Sequence, residues 1–144
     1  MKFHYLARGI IFKDGKVLLA HQKGADHTFL PGGHIAKGEK AEAALKREIL
    51  EELGEKATVK QFIGAVEAAW SENDKHHHEI NLVFEVDLPE INPSEPPGSL
   101  EGHLEFIWVR PEELKPHNLL PEPMIQCLEN WGRGYQGFWG SEFR

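Results

Sequence analysis

The 144-residue chain has little cysteine and no long apolar segment. Cys127 is the only cysteine, so an intramolecular disulfide is excluded and a reducing compartment suits the chain. We expect Cys127 to be a small buried apolar residue. The start of the chain lacks the apolar region of a secretory signal, and no run approaches the roughly 18 apolar residues of a membrane span. The sequence therefore predicts a cytoplasmic protein that does not enter a membrane.

Positive charge is also scarce in this sequence. The chain has 16 Lys and Arg residues against 23 Asp and Glu residues, which gives a formal net charge of −7. This balance argues against general affinity for nucleic acids, which depends on Lys and Arg contacts to phosphates. A small anionic substrate remains compatible with it, because bound cations invert the local field. The length predicts one domain over residues 1–144.

What the sequence does contain is a glycine-rich turn followed by a helix dense in glutamate. Gly32 and Gly33 allow backbone angles and close approaches that other residues resist. Strong helix formers then continue from residue 39 or 40 to residue 53, and Gly54 predicts the end of the helix. The apolar stripe of this helix, which we expect to face a core, consists of Ala41, Leu45, Ile49 and Leu53.

Three carboxylates cluster at the edge of that stripe. Glu48, Glu51 and Glu52 lie within about 100° of arc on the predicted helix. Like charges at this spacing repel one another, and more strongly where they are partly desolvated. A divalent cation removes the conflict, and clustered carboxylate oxygens suit Mg²⁺ or Mn²⁺. Arg47 is able to reach Glu51 one turn further on and hold its carboxylate. The alternative interpretation is a solvated surface helix rich in Glu and Lys.

The spacing of the whole segment resembles the Nudix box, GX5EX7REUXEEXGU, in which U is an apolar residue. All seven fixed positions match, namely Gly33, Glu39, Arg47, Glu48, Glu51, Glu52 and Gly54. Glu55 departs from the pattern, which concerns the packing after the helix more than the metal site. The resemblance implies an α/β (α+β) Nudix fold, with a mixed β-sheet sandwiched between helices.

The same resemblance implies a metal-dependent pyrophosphohydrolase. Water would attack a phosphorus of a nucleoside diphosphate that is linked to another moiety. Glu51 and Glu52 would be metal ligands, and the Gly32 carbonyl would add another donor. Glu48 would be a ligand or the residue that handles the proton of the water. Arg47 would orient the carboxylates, and Glu39 would support the geometry between loop and helix.

Residues outside the helix complete the predicted site. Members of this family often use a further glutamate from a loop, as ligand or general base; Glu101 is the first candidate here and Glu105 the second. Gly33 is assigned to substrate binding. The candidates for stacking on a base are Trp70, Phe84 and Trp108, although a large aromatic residue in a strand is also commonly core or edge packing.

Hydrophobic alternation predicts the remaining elements. Strands are expected over residues 3–12, 16–21, 57–70, 79–88 and 105–109, with a short helix from residue 111 and a final helix over residues 121–131, where Met124, Ile125 and Leu128 point inward. The polar residues 71–78 are predicted as a turn. The proline-rich residues 89–103 are predicted as a functional or mobile loop.

Two further segments carry an open interpretation. His76, His77 and His78 invite a transition-metal site, but consecutive residues point in different directions and no cysteine accompanies them, which disfavours dedicated zinc. The tail, residues 131–144, contains five aromatic residues. We expect it to dock on its own domain or on the partner in a homodimer rather than to bind a ligand.

The identity of the substrate stays open, because the box binds the diphosphate that all candidate substrates share. They include nucleoside triphosphates, oxidised nucleotides, nucleotide sugars such as ADP-ribose, dinucleoside polyphosphates and capped or triphosphorylated RNA. The acidic charge disfavours long RNA. The alternative class of protein is a Nudix-fold nucleotide-binding sensor without catalysis, which the intact glutamates disfavour.

Overall fold

The computed structural model describes residues 1–143, in which nine strands and two α-helices form. The strands are β1 (Lys2–Ile10), β2 (Phe12–Lys13), β3 (Lys16–Gln22), β4 (Thr28–Phe29), β5 (Gly32–His34), β6 (Thr58–Glu72), β7 (Lys75–Asp87), β8 (Leu104–Val109) and β9 (Phe138–Ser141). The helices are α1 (Ala41–Leu53) and α2 (Pro123–Gly132), and a 3₁₀ turn covers Pro111–Glu113.

The strands form two sheets. The first sheet has the order β5-β1-β7-β6-β9 and is mixed, because β1 pairs with β7 and β6 pairs with β9 in parallel while the other pairs are antiparallel. In the second sheet β3 pairs antiparallel with β8 on one side and with β2 and β4 on the other. The predicted mixed sheet is therefore present, and a smaller antiparallel sheet accompanies it.

Each helix covers its own apolar core. In the first core Leu45 and Ile49 of α1 pack with residues that include Leu18, Phe84 and Phe106. The second core gathers buried residues of α2 and of both sheets, among them Met124, Cys127, Leu128, Val17, Leu19 and Val83. Successive residues of β3 enter opposite cores, as the period of two in a strand requires. The expected burial of Cys127 is confirmed, and burial raises the pKa of its thiol to about 12.

Helix α1 ends as the sequence predicts. Gly54 adopts the left-handed conformation, with φ 70°, and its N–H donates to the Leu50 carbonyl at 2.9 Å. Leu45, Ile49 and Leu53 are buried, but Ala41 is only half-buried and Ala44 is buried instead. In α2, Met124 and Leu128 are buried as expected, whereas Ile125 is half-buried. Both differences reflect the rotation of each helix about its axis.

The prediction of a polar turn over residues 71–78 is wrong. Strand β6 continues to Glu72 and β7 starts at Lys75, so only Asn73 and Asp74 form the turn. Both have positive φ, 51° and 62°, as a two-residue hairpin turn of type I′ requires. The predicted strand over residues 3–12 is likewise divided, because β1 ends at Ile10 and Phe12 belongs to the second sheet.

Side-chain hydrogen bonds anchor the proline-rich segment after β7. The Nζ atom of Lys13 donates to the carbonyls of Leu88, Pro89 and Ile91 at 3.2, 3.0 and 2.9 Å. The indole of Trp108 donates to the Glu95 carbonyl at 3.1 Å. These contacts fix the segment along the second sheet, and Trp108 is engaged there.

The aromatic tail docks on the protein's own domain, as one of the two expected modes. Strand β9 pairs with β6, and Phe138 packs against the second core. The ring of Trp131 meets Phe12 edge-on at 5.7 Å. A homodimer stays a prediction. In residues 1–143, no helix combines the length and apolar character that crossing a membrane requires.

Candidate active site

Helix α1 approaches β5 closely, and Gly33 makes the approach possible. A Cβ atom on Gly33 would lie 2.5 Å from Cδ of Glu48 and 2.7 and 2.8 Å from its two oxygens. Glycine at this position therefore leaves the room that the Glu48 carboxylate occupies. Gly33 thus has a steric role beside a predicted metal ligand, and its assignment to substrate binding stays a prediction.

Gly32 is packed still more tightly, against β1. Its φ is 138°, and a Cβ atom there would lie 2.0 Å from the Ala7 carbonyl oxygen. The backbone of β5 therefore requires glycine at this position. The predicted role of the Gly32 carbonyl as a metal donor remains untested by these contacts.

Arg47 fixes the start of α1 to the loop before it. Its Nε and Nη2 atoms donate to the two carboxylate oxygens of Glu39 at 2.9 and 3.0 Å, and Nη2 also donates to the His34 carbonyl at 3.1 Å. Glu39 accepts a further hydrogen bond from the Ala36 N–H at 3.0 Å. The Arg47 guanidinium, followed by this N–H, lowers the pKa of Glu39 to about 2. Glu39 thus supports the loop and helix, as the family resemblance implied.

Arg47 also contacts two of the predicted metal ligands. Its Nη1 atom lies 3.1 Å from Oε1 of Glu48 and 3.4 Å from Oε1 of Glu51. The Glu48 contact is the shorter, and the Glu51 carboxylate is half exposed. The predicted contact of Arg47 with Glu51, one turn further on, is therefore present, and Arg47 also holds Glu48 at a shorter distance.

Glu52 is the most unusual carboxylate in this cluster. It is only 6% exposed, and its Oε2 atom is buried without a hydrogen-bond partner in residues 1–143. Burial, followed by the charge of Glu48, raises the pKa of Glu52 to about 8, and Arg8 opposes the shift. A buried carboxylate oxygen without a partner carries a desolvation cost that a cation would offset.

The donor set fits a hard divalent cation. Three carboxylates lie along one face of α1: Glu52 is buried, Glu48 is half-buried and Glu51 is exposed. Carboxylate oxygen is the ligand type that Mg²⁺ and Mn²⁺ prefer. In the described part of the chain, however, no three His, Cys, Asp or Glu side chains are gathered around one point. Oε1 of Glu48 lies 3.1 Å from Nη1 of Arg47, and the Glu48 charge also acts on Glu52, whose pKa it raises.

The two candidate glutamates outside the box lie in different surroundings. Glu101 is close enough to Glu52 for its charge to raise the pKa of Glu52, and the neighbouring Leu100 N–H donates to the Glu52 carbonyl at 2.7 Å. Glu105 instead lies 2.7 Å from Nδ1 of His21. The structure brings Glu101 to the glutamate cluster and leaves Glu105 outside it.

A cavity of about 710 Å³ has Arg8, Glu79 and Asn81 in its polar lining. It lies between β1, β6 and β7 of the first sheet, strand β4 and the start of α2. Its apolar lining includes Phe29, Leu30, Leu120, Pro121 and Met124. Trp70 also lines it, and the Trp70 ring stacks on His77 at 4.8 Å between centroids, with the planes 6° apart.

The sequence interpretation missed Arg8, which joins the cavity to the glutamates. Arg8 lines the cavity, its guanidinium carbon lies 5.3 Å from the centre of the Phe29 ring, and Nη1 donates to the Leu30 carbonyl at 3.1 Å. Burial lowers the pKa of Arg8, and the negative charges of three glutamates oppose that shift, namely Glu79, Glu52 and Glu48. The available signal was a charged residue at an inward position of β1, two residues from the buried Leu6 and Ile10.

The other aromatic candidates do not line the cavity. Phe84 is 6% exposed and packs in the first core, where its ring meets Phe62 edge-on at 5.5 Å. The structure therefore gives Phe84 a packing role in place of the predicted stacking on a base. Trp108 packs against the same core and anchors the loop through Glu95.

The three consecutive histidines have three different partners. Nδ1 of His76 lies 2.9 Å from the Ser71 hydroxyl, Nδ1 of His77 lies 2.9 Å from Nε2 of His4, and the ring of His78 lies 4.9 Å from that of Phe143. Their side chains alternate across β7, as residues of a strand do.

Comparison with known proteins assigns the family. The NUDIX domain matches residues 3–130, so the chain belongs to the NUDIX domain family. The chain is similar to the CTP pyrophosphohydrolase of Escherichia coli (strain K12), with 31% identity over 136 residues that cover 89% of this chain and 93% of the relative. It is also similar to the ADP-ribose pyrophosphatase of Methanocaldococcus jannaschii, with 39% identity over 83 residues, 56% of this chain and 48% of the relative.

Solved structures share the fold. A NUDIX hydrolase from Nitrosomonas europaea superposes with a TM-score of 0.73 at 20% identity, covering 94% of this chain and 93% of its own. The solution structure of the Escherichia coli ORF135 protein gives a TM-score of 0.59 at 27% identity, with 92% and 91% covered. The predicted Nudix fold and the assignment to a family of nucleotide pyrophosphohydrolases are confirmed.

Proposed function

We propose that this chain hydrolyses a phosphoanhydride bond in a small nucleotide and that Mg²⁺ or Mn²⁺ supports the reaction. The substrate is a nucleoside diphosphate linked to another moiety, and water attacks one of its phosphorus atoms. The observation that carries the proposal is the buried carboxylate of Glu52, whose Oε2 atom lacks a partner in residues 1–143 and which lies near the negative charge of Glu48. Such an arrangement favours a bound cation.

The residues proposed to hold the cation are Glu48, Glu51 and Glu52 of α1, with the Gly32 carbonyl as a further donor. When bound, a divalent ion neutralises charge on the phosphates and lowers the pKa of water. Arg47 restricts the Glu48 carboxylate from one side, and Gly33 leaves space for it on the other. These contacts support a site whose first ligand is already oriented.

Two further residues act on the substrate in this proposal. Glu101, held beside Glu52 through the contact of Leu100 with α1, accepts a proton from the attacking water. Arg8 lies between the glutamates and the cavity, and its Nη2 atom is not engaged in any hydrogen bond within residues 1–143. A guanidinium in that position suits a phosphate oxygen of the substrate.

The nucleoside is proposed to occupy the cavity beside Arg8. Its volume, about 710 Å³, is that of a typical small-molecule site. One face of Trp70 is covered by His77, and Trp70 is 39% exposed, which leaves ring surface for stacking on a base. The similarity along most of the chain to a CTP pyrophosphohydrolase supports nucleoside triphosphates as the first substrates to test.

The proposal is tested by measuring phosphate release with a coupled phosphatase, with and without Mg²⁺ or Mn²⁺. The panel contains nucleoside triphosphates, oxidised triphosphates, ADP-ribose, nucleotide sugars and dinucleoside polyphosphates. We expect metal-dependent turnover of one class, and a loss of several orders of magnitude in Glu52→Gln, because a ligand of the charge-neutralising ion is removed. The matched control is Glu42→Gln, on the exposed side of the same helix, which should retain activity.

Folding is monitored in the same variants to separate chemistry from stability. Urea denaturation in EDTA above pH 8, where the Glu52 carboxylate is ionised, should give Glu52→Gln a midpoint equal to or above that of the wild type, because the substitution removes a buried charge next to Glu48. Turnover of Glu52→Gln near the wild-type rate at saturating Mg²⁺ would contradict the metal site. Nucleotide binding in calorimetry without turnover of any substrate would instead support the sensor without catalysis.

A further inference from the structure

Glu79 is a carboxylate on the wall of the cavity that the proposed chemistry does not use. It belongs to β7, where it lies opposite His4 of β1 and Ala68 of β6. It is half-buried and lines the cavity together with Arg8, Asn81 and Trp70. Along β7, Glu79 lies between Asn81 and His77. Asn81 contacts Arg8, and His77 is paired with Trp70 near the end of the hairpin.

The Glu79 carboxylate is held by a residue that is completely buried. Asn81 is 0% exposed, and its Nδ2 atom donates both to Oε2 of Glu79 and to the Val66 carbonyl, while Oδ1 accepts from Nε of Arg8 at 3.4 Å. Both N–H donors of the Asn81 amide are therefore used by protein groups. Within residues 1–143, no hydrogen bond or ion pair engages the other oxygen of Glu79, Oε1.

This arrangement puts two polar atoms of opposite character along the cavity, Nη2 of Arg8 and Oε1 of Glu79, which no hydrogen bond within residues 1–143 engages. Arg8, near Glu52 and Glu48, offers donors to an anion. Glu79, further along β7 from the glutamates, offers only an acceptor, since an ionised carboxylate has no proton to donate. A nucleotide with its phosphates at α1 would extend its base past Arg8 toward Glu79 and Trp70.

We propose that Glu79 selects nucleotides whose base presents an exocyclic amino group, as cytosine and adenine do. This inference rests on the proposed function, because it assumes that the nucleoside occupies the cavity. An amino group donates to Oε1, whereas a carbonyl at the same position of the base places two acceptors against each other. A site built to pair with one hydrogen-bonding group rejects the analogue that lacks it, because its polar atom is left without a partner.

The test uses two pairs of substrates in which the exocyclic amino group becomes a carbonyl and the adjacent ring nitrogen gains a proton, CTP against UTP and ATP against ITP. With the wild type we expect kcat/KM for the amino member to exceed that of the carbonyl member by about 10- to 100-fold in the pair that is hydrolysed. In Glu79→Gln the ratio should fall to 1 or below, because Asn81 Nδ2 still requires an acceptor and the amide NH2 group then takes the position of Oε1. The control is Glu85→Gln, also in β7, whose carboxylate pairs with Gln61 outside the cavity and which should keep the wild-type ratio.

The outcomes separate this inference from the proposed function. Metal-dependent hydrolysis with no preference within either pair, or a preference that Glu79→Gln leaves intact, would overturn the role of Glu79 and leave the proposed function standing. If no triphosphate is hydrolysed, calorimetric binding of CMP against UMP and AMP against IMP provides the same comparison without turnover. Equal affinities within both pairs would then overturn the inference.

Discussion

At the scale of single residues, Gly33 controls the space that the Glu48 carboxylate occupies. In Gly33→Ala the new Cβ would lie 2.5 Å from Cδ of Glu48, so the carboxylate has to move. We expect kcat to fall by about 10- to 100-fold, the scale of a displacement of about 1 Å in a catalytic group. Steady-state kinetics at saturating Mg²⁺ measures the effect.

A second glycine supplies the control for this substitution. A Cβ atom on Gly98 would have no atom within 4 Å, so Gly98→Ala should leave both kcat and the free energy of unfolding close to the wild-type values. If Gly33→Ala retained full activity, the close approach of β5 to Glu48 would have no importance for the proposed chemistry.

Glu101 and Glu105 allow a second comparison between residues. Glu101 lies near Glu52, whereas Glu105 pairs with His21, so Glu101→Gln should slow turnover more than Glu105→Gln. We expect a loss of about 100-fold or more in kcat for Glu101→Gln, the contribution of a general base. Equal losses in the two variants, or a reversed order measured under the same conditions, would exclude Glu101 from this role.

The Glu105 variant also carries a prediction about pH. The Ala25 carbonyl, followed by the Glu105 carboxylate, raises the pKa of His21 above its usual value of about 6.5. The protonated ring therefore stabilises the fold below about pH 6.5, and this stabilisation is lost as pH rises through the higher pKa of the folded state. In Glu105→Gln the His21 pKa, measured by NMR titration, should fall, but it should stay above 6.5 because the Ala25 contact remains. An unchanged His21 titration would contradict the ion pair.

Single residues also show which contacts the sequence could not predict. The pairing of Arg47 with Glu39 is local, eight positions apart, and the family resemblance had implied that Glu39 supports the loop and helix. The contact of Arg8 with Asn81 joins positions 73 residues apart. It depends on the parallel register of β1 against β7, which no pattern within either strand specifies.

At the scale of elements, Lys13 anchors the long segment that leads to Glu101. Its three contacts to main-chain carbonyls are lost in Lys13→Met, which keeps most of the apolar side chain. We expect the free energy of unfolding to fall by about 1 to 3 kcal/mol, since hydrogen bonds from a charged group are stronger than neutral ones. Urea denaturation measures this loss, and hydrogen exchange should become faster in residues 88–95.

The corresponding control is Lys60→Met, at an exposed position of β6. It changes the net charge by the same amount and should leave stability and exchange near the wild-type values. Comparable losses in the two variants would mean that charge, rather than the three carbonyl contacts, accounts for the effect.

The hairpin of β6 and β7 shows why element boundaries were less predictable than element type. Residues 71–78 are polar and contain three histidines, which conceals the alternation of a strand. Their strand conformation is imposed by pairing, with Trp70 opposite His77 and Glu72 opposite Lys75. Tertiary pairing overrides local composition here. As a consequence, the sequence interpretation placed His77 in a turn rather than in the strand where it stacks on Trp70.

At the scale of the whole molecule, the family resemblance predicted the fold, but it did not predict how the strands are divided between two sheets. Ile11, between β1 and β2, is buried in the first core while the chain passes from one sheet to the other. The cavity is lined by residues of both sheets, in β1, β4, β6 and β7, and by Met124 of α2. A pattern within one element cannot specify such a surface.

The tail gives a prediction for the molecule as a whole. Deleting residues 134–144 removes β9, uncovers the edge of β6 and exposes the part of the second core that Phe138 covers. We expect the free energy of unfolding to fall by about 1 to 2 kcal/mol, the contribution of one partly buried aromatic side chain. The uncovered edge should also promote association, because unpaired strand edges bind other strands. Urea denaturation and light scattering measure the two effects, and Trp139→Ala, at a residue that is 60% exposed, should reproduce neither. If the full-length chain is a dimer and the deletion yields a stable monomer, the tail stabilises the contact with the partner in a homodimer more than it stabilises its own sheet.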